Sequence, residues 1–291
     1  MSAGLDVRHV RRAFGRAAST YEAHAVLQAE VGTRLFERLD GIELKPARVL
    51  DAGSGPGIGA RVLRDRFPEA DIVALDLALP MLRAAASRAG VPPAFARIAA
   101  DVQALPFAGA SFDLVHSNLC LQWCDDPGLA LAEFARVLRS DGLLLFSTFG
   151  PATLHELRAA FAAADAAPHV SRFVDMHDIG DALLTTGFRD PVLERDDFTL
   201  TYPDALTLMR ELRAIGATNA DAKRLRTLTG KAHLQRVVAA YEPFRHEGKL
   251  PATYEVVYAQ AFAPAPGQPR RARGGGEIAS FPIERLRGQR R

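Results

Sequence analysis

Asp51, Gly53, Gly55, Gly57, Asp76 and Asp101 are the residues of this chain whose types and spacing could do chemistry. Val49 and Leu50 run into Asp51, and glycines then fall at every second position from Gly53 to Gly59 before a helical pattern resumes. That succession reads as strand, tight turn, helix start. Glycine lets the backbone come close to a ligand, and the first N–H groups of the following helix are free to meet it. Asp76 ends the next strand-like run, about twenty residues beyond the glycines, where a carboxylate can accept ribose hydroxyls. Asp101 ends the run after that. Each acid has a plainer use, Asp76 as the cap of a following helix and Asp101 as a turn residue. Their common register with Asp51 is what points to a nucleotide-like ligand. The chain shows no Ser/His/Asp or Cys/His nucleophile arrangement and no metal-ligand spacing, so no metal is expected. Cys120 and Cys124, the only cysteines, match no zinc or disulfide framework and read as reduced structural residues.

To place those acids on one edge, the chain must alternate strands and helices. Further strands are expected over 71–75, 94–100, 112–117 and 143–148, the last entered through the turn Ser140-Asp141-Gly142, with helices over 58–67, 79–89 and 128–138 between them. The fold class is α/β, a Rossmann-like doubly wound, mostly parallel sheet whose strand C-termini share the ligand edge. Helices over 153–165 and 176–186, a strand over 192–202, a helical stretch and a strand over 251–263 complete it. Strand, helical insertion, strand suggests an antiparallel edge pair with the insertion beside the ligand edge. Upstream, Val10, Phe14, Ala17, Tyr21, Ala25 and Leu35 recur at helical spacing, broken near Gly15 and at Ser19-Thr20, which predicts two or three amphipathic helices. The organisation expected is an N-terminal helical lid (1–45), the core (46–202), the insertion (203–250), the last strand (251–263) and a disordered basic tail (264–291) dominated by Pro, Gly and Arg. With 291 residues, 48% hydrophobic and 24% charged, the chain can bury a sizeable core. A net charge of +2 does not describe a general polyanion binder, so nucleic acid is not an expected partner. The charged N-terminus lacks a signal-peptide pattern and no apolar run approaches a membrane span, so no membrane contact and a cytoplasmic location are expected.

Two cofactor classes use a glycine loop behind a first strand. A dinucleotide would place G-x-G-x-x-G/A on Gly55, Gly57 and Ala60, and would need a second half of the fold for its nicotinamide. Asp51 to Gly57 has instead the D-x-G-x-G-x-G pattern that resembles the first motif of Rossmann-like methyltransferases, whose cofactor is S-adenosylmethionine. The resemblance implies that Asp76, with Leu77 beside it, accepts both ribose hydroxyls. It implies too that Asp101 takes the adenine amino group, that the backbone of Val102 meets the ring, and that residues around Asn118 close the methionine side. Beyond this motif, AFGRAASTYEAHAVLQ (13–28), SNLCLQWC (117–124), FSTFGPATLHELRAAF (146–161), PHVSRF (168–173), LMRELRAIGATN (208–219) and LPATYEVVY (250–258) are similar to the malonyl-acyl-carrier-protein O-methyltransferases of biotin synthesis. That likeness covers nearly everything from Arg12 to Ala263. Ser54, where many relatives carry Cys, and Leu121 depart from it without changing the reading.

What the resemblance implies is methyl transfer to the free carboxylate of a malonyl group on its carrier protein. A carboxylate is ionised at neutral pH and needs no general base, so alignment and exclusion of water would carry the rate. Arg172 or Arg210, with His169, are the candidates to hold that carboxylate, because a guanidinium meets a planar anion bidentately; a surface salt bridge and a loop histidine are the plainer readings. Tyr21 is expected to close over the cofactor near the reacting methyl. The carrier, being acidic, is expected to dock on the basic helical insertion through Arg210, Arg213, Lys223, Arg224, Arg226, Lys231 and Arg236. Two alternatives stand beside this: a related complex I assembly factor acting as an arginine hydroxylase, which shares the T-L-x-E-L-R and P-H-x-x-x-F stretches, and a cofactor-binding scaffold without catalysis.

Overall fold

A computed structural model describes residues 4–88, 95–225 and 230–264, with the backbone of 270–271 and 277–278. The N-terminal segment forms α1 (Val7–Ala17), α2 (Tyr21–His24) and α3 (Val26–Glu37). Asp6 caps α1 by accepting from the His9 N–H at 3.0 Å. Gly15 does not break α1; it lets the helix pack against Pro80, and the interruption falls at 18–20 instead. Then follow β1 (Arg48–Ala52), α4 (Ile58–Arg66), β2 (Asp71–Asp76), α5 (Leu79–Arg88), β3 (Ala96–Ala99), β4 (Phe112–Ser117), α6 (Pro127–Val137), β5 (Leu138–Phe149), α7 (His155–Ala164), α8 (Met176–Thr185), β6 (Arg189–Tyr202), α9 (Ala205–Ala214), α10 (Lys231–Tyr241) and β7 (Leu250–Phe262). Pro127 and Asp126 start α6, and Asp204 starts α9 by accepting from the Thr207 N–H.

These strands form one seven-stranded sheet in the order β3-β2-β1-β4-β5-β7-β6. Strands β1 to β5 pair in parallel, and β7 runs antiparallel to both its neighbours. Strands β6 and β7 form the antiparallel edge pair that the sequence suggests, and the sheet adds their order. Strand β7 is buried on both faces over most of its length and lies between β5 and β6. Strand β6, with every second residue exposed, takes the edge. A strand with one wet face tolerates an edge position, whereas a doubly apolar one does not. Alternation along the strands sorts the core into two layers: Val49, Leu114 and Leu145 meet Leu35 of α3 and Leu63 of α4, while Leu50, Val115 and Leu144 meet Phe134 of α6 and Leu183 of α8. Arg38 fastens α3 across the sheet, its guanidinium 3.7 Å from the Tyr258 ring centre and 2.6 Å from Glu194.

Two expectations change in detail. Strand β5 begins at Leu138 rather than after the Ser140-Asp141-Gly142 turn; the turn survives as an irregularity, with Asp141 at φ 60°, between the pairs Phe112–Leu138 and Leu114–Leu143. Among the described residues of 203–250, helix is confined to α9, α10 and a short 3-10 turn, Glu242–Phe244, that follows α10. Gly216, at φ +82°, ends the first helical run, and residues 217–225 turn back to the N-terminus, where Asp6 N–H donates to Ala220 O at 2.8 Å and Arg224 pairs with Asp6 at 3.0 Å. Of the expected tail, Pro264 is described. Two dipeptides, β8 (Arg270–Arg271) and β9 (Glu277–Ile278), pair antiparallel, and the remainder lies outside the described residues. Among the described residues no helix is long and apolar enough to cross a membrane.

Candidate active site

The ligand edge is assembled where β1, β2, β3 and β4 end. The loop after β1 is stitched onto β2, because the N–H groups of Gly53 and Ser54 both donate to Leu75 O, at 2.8 and 2.9 Å. Gly53 sits at φ +75°, and any Cβ there would collide with the Cys120 side chain. Gly55, at φ +52°, has open space where a Cβ would stand. Its N–H donates to Asp76 Oδ2 at 2.9 Å, and the Ala78 N–H donates to Oδ1 at 2.7 Å. Burial pushes the Asp76 carboxyl up to about 6, with those two N–H groups working the other way. Asp101 accepts from the Gln103 N–H at 2.9 Å, which holds its turn.

Asp76, Leu77, Asp101, Val102, Asn118, Gly53 and Gly55 line one cavity. Asn118 lies there with both ends of its amide engaged: Nδ2 donates to Gln28 O at 2.9 Å and Oδ1 accepts from Ser147 at 2.7 Å. It therefore ties α3, β4 and β5 together at the cavity wall. Asp51 and Gly57 do not line the cavity. Asp51 points beneath the first turn of α4, where Oδ1 meets His116 Nδ1 at 2.8 Å, and His116 stacks on Phe36 at 4.6 Å. Gly59, lacking a Cβ, admits that carboxylate; a Cβ would stand 3.0 Å from Asp51 Oδ2. Gly57, at φ +80°, precedes α4 where a Cβ would press on Ala85 and Phe95, both at 3.0 Å. Both motif positions are thus explained by packing.

The N-terminal segment roofs the cavity with Val7, Val10 and Phe14 of α1 and with Tyr21. A second, largely apolar cavity adjoins it, and Phe14, Tyr21, Leu119 and Trp123 belong to both. Phe14 meets Trp123 edge-on at 5.1 Å and Tyr21 at 6.5 Å. Burial raises the Tyr21 hydroxyl above its ordinary range, with Asp76 and Cys120 adding to it. The second cavity is walled by Phe149, Phe173 and Tyr254, with His169 and Asn219 among its polar groups. His169 is fixed three ways: its Nε2 lies 2.8 Å from Asp165 Oδ1, its ring stacks on Phe161 at 4.2 Å, and the neighbouring Pro168 O accepts from Asn219 at 2.7 Å. His233 approaches the other Asp165 oxygen at 3.5 Å. Partial burial opposes ionisation of Asp165, but the Ala167 N–H and the two imidazoles hold its carboxyl below the usual range. Asp165, His169 and His233 could together hold a metal ion, yet a 2.8 Å contact is a hydrogen bond and needs none.

The two candidate arginines are not brought to that cavity. Arg172 is exposed along an adjoining groove, where it lies close enough to Arg158 to lower the latter's affinity for its proton, after burial. Arg210 is exposed on α9, with Nη1 3.4 Å from Thr207 Oγ1, and lines neither cavity. Nothing in the residue pattern singled out Asp165, whereas Phe173 ends the block 168–173. The block 117–124 did carry a signal for Trp123, whose indole now closes both cavities. Among the expected docking cations Arg224 is consumed by Asp6, Arg226 lies outside the described residues, and Arg213, Lys223, Lys231 and Arg236 are exposed.

A sheet of this order, with a glycine loop and two strand-end acids around one cavity, defines a Rossmann-like methyltransferase. Residues 50–146 match a family model described as a methyltransferase domain. The malonyl-[acyl-carrier protein] O-methyltransferase of Laribacter hongkongensis (strain HLHK9) is 51% identical over 284 residues, 95% of this chain and 96% of that one. That of Gallionella capsiferriformans (strain ES-2) is 49% identical over 273 residues, 90% of this chain and 92% of that one. Among solved structures, the YcgJ protein from Bacillus subtilis shares the fold at 16% identity, with a TM-score of 0.56 over 79% of this chain and 97% of that one. The chain belongs to the malonyl-[acyl-carrier protein] O-methyltransferase family.

Proposed function

We propose that this enzyme transfers the methyl group of S-adenosylmethionine to the free carboxylate of a malonyl group carried as a thioester on an acyl-carrier protein. The observation that carries this reading is the junction of the two cavities at Phe14, Tyr21, Leu119 and Trp123. Direct transfer needs donor and acceptor on either side of one point, in line, with water kept out. In the cofactor cavity Asp76 accepts the ribose hydroxyls beside Leu77, Asp101 takes the adenine amino group, and the backbone of Val102 meets the ring. Gly53 and Gly55 leave room for the ligand, and Asn118 shapes the methionine end. Asp51 and Gly57 act one layer back, by setting the loop and the start of α4.

In the acceptor cavity His169, oriented by Asp165, is the group within reach of the substrate's carboxylate, and Arg172 stands at the adjoining rim. One hydrogen bond from an imidazole N–H suits an anion that must remain nucleophilic, because it steadies the anion without the full neutralisation a bidentate guanidinium brings. Removing water strengthens the carboxylate as a nucleophile, and the apolar wall of Phe149, Phe173 and Tyr254 does this. Esterification then leaves an uncharged chain end that an apolar site can bury at lower cost. A cytoplasmic location accompanies this reading, since cofactor and carrier are met there. No observation favours the arginine-hydroxylase or silent-scaffold alternatives.

The test is a mass measurement on malonyl-carrier protein incubated with S-adenosylmethionine. A gain of one methyl, absent with acetyl-carrier protein, is expected; no gain would sink the assignment. Tyr21→Phe should lower kcat about tenfold while leaving cofactor affinity unchanged, as loss of one positioning group does. Undiminished turnover would remove the hydroxyl from the mechanism.

A further inference from the structure

The basic surface expected for the carrier lies, on the sequence, in the insertion, yet among the described residues a stripe of unpaired positive charge stands elsewhere, on α1. Helix α1 buries Val10, Ala13 and Ala17 and turns Arg8, Arg12 and Arg16 outward, all three exposed, while Arg11, also exposed, borders the cofactor cavity. Arg8, Arg12 and Arg16 follow at one-turn intervals, so they form a stripe down one side of the helix. Among the described residues none of these three makes an ion pair or side-chain hydrogen bond. Nearby acids are already engaged: Asp6 holds Arg224 at 3.0 Å and caps the His9 N–H, and Glu22 holds Arg61 at 3.1 Å. Three free guanidiniums at such spacing repel one another along a helix. That cost is recovered when an anionic surface lies across them.

The same helix has a second face with work to do. Phe14 points inward, meets Trp123 at 5.1 Å and borders both cavities. We propose that the outer face of α1 is the docking surface for the acidic carrier protein. The partner's charge thereby holds down the helix whose inner face roofs the point of methyl transfer. This rests on the carrier-bound acceptor proposed above and deepens it: the carrier is recognised by charge complementarity on the lid, not on α10 of the insertion, and substrate arrival and closure become one event.

The experiment compares wild type with the charge reversals R8E/R12E/R16E and, as control, K231E/R236E on α10. Binding of fluorescently labelled malonyl-carrier protein is followed by anisotropy at low and high salt, with S-adenosylmethionine affinity measured calorimetrically for each variant. Carrier Kd should rise at least about tenfold in the α1 variant and lose most of its salt dependence, as removal of several facing charges requires. Cofactor affinity should stay unchanged, and the α10 variant should behave as wild type. Carrier Kd unchanged in the α1 variant, or weakened equally in the α10 variant, overturns the inference. Loss of cofactor affinity in step with carrier affinity would also overturn it, since the arginines would then be supporting the fold. Wild-type enzyme that methylates malonyl-carrier protein while the α1 variant binds it normally defeats this inference alone. Wild-type enzyme that adds no methyl defeats the acceptor assignment first.

Discussion

Asp76 combines burial with two N–H donors, and the balance leaves its carboxyl near 6, within the range where an enzyme is assayed. Two ribose hydroxyls need an ionised acceptor. Below about pH 6 the ionised fraction falls tenfold per unit, so cofactor Kd should rise toward tenfold for each unit of acidification. Calorimetric titration from acid to neutral pH measures this, and Asp76→Asn should give weak, flat binding; a wild-type profile without a break near 6 would reassign the ribose acceptor. The sign for stability is opposite. Because the folded value exceeds the ordinary 3.8, the ligand-free protein loses stability as pH rises from 3.8 toward 6, while cofactor affinity grows over the same interval. Asp51 shows how one motif letter can have a different duty: its carboxylate is used on His116 beneath α4, so it sets the loop's shape without lining the ligand cavity.

At the scale of elements, the N-terminal helices and the insertion behave as one roof. Thr20 Oγ1 donates to Ala214 O at 2.7 Å, His9 meets Thr218 at 3.1 Å, and Gly216 passes so close to α1 that a Cβ would stand 3.0 Å from Phe14 Cα. Gly216→Ala should therefore push Phe14 off Trp123, besides costing about 1–3 kcal/mol for its left-handed backbone. Gly248→Ala, at φ +78° with nothing within 4 Å, carries the backbone strain alone and is the control. Turnover should fall several-fold only in the first, by about the effect of misplacing a positioning group. Equal turnover in both variants at matched temperature would mean that the contact between insertion and α1 has no part in closure.

Across the whole molecule, 36 basic and 34 acidic side chains nearly cancel, so long-range attraction to an anion depends on how they are spread. The acids flanking α1 are spent on Arg224 and Arg61, which leaves local positive charge at the roof while the sum stays small. Raising ionic strength should therefore raise KM for the carrier-bound substrate several-fold over the range in which the Debye length shrinks below about 10 Å. KM for the cofactor, held in a buried cavity, should hardly move. A flat response for the carrier substrate would show that charge has little part in its capture.

Strand and helix periodicity, the glycine loop and the acids at strand ends were readable in the chain, because they depend on residues close in sequence and on a fold whose ligand edge is fixed by parallel pairing. Asp76, Leu77, Asp101, Val102 and Asn118 reached one cavity for that reason. The class of protein followed, and six blocks outside the motif pointed to the family. Where β7 sits, and which of the candidate arginines and histidine lines the second cavity, depended on contacts between residues far apart. His169 is held by Asp165, stacked on Phe161 and linked through Pro168 to Asn219, while Arg210, equally attractive by type, faces Thr207. Side-chain type tells what a residue could bind. Only the packing of α1, α7, α9 and the 165–173 loop over the sheet edge decided which of them lines the cavity beside the cofactor site.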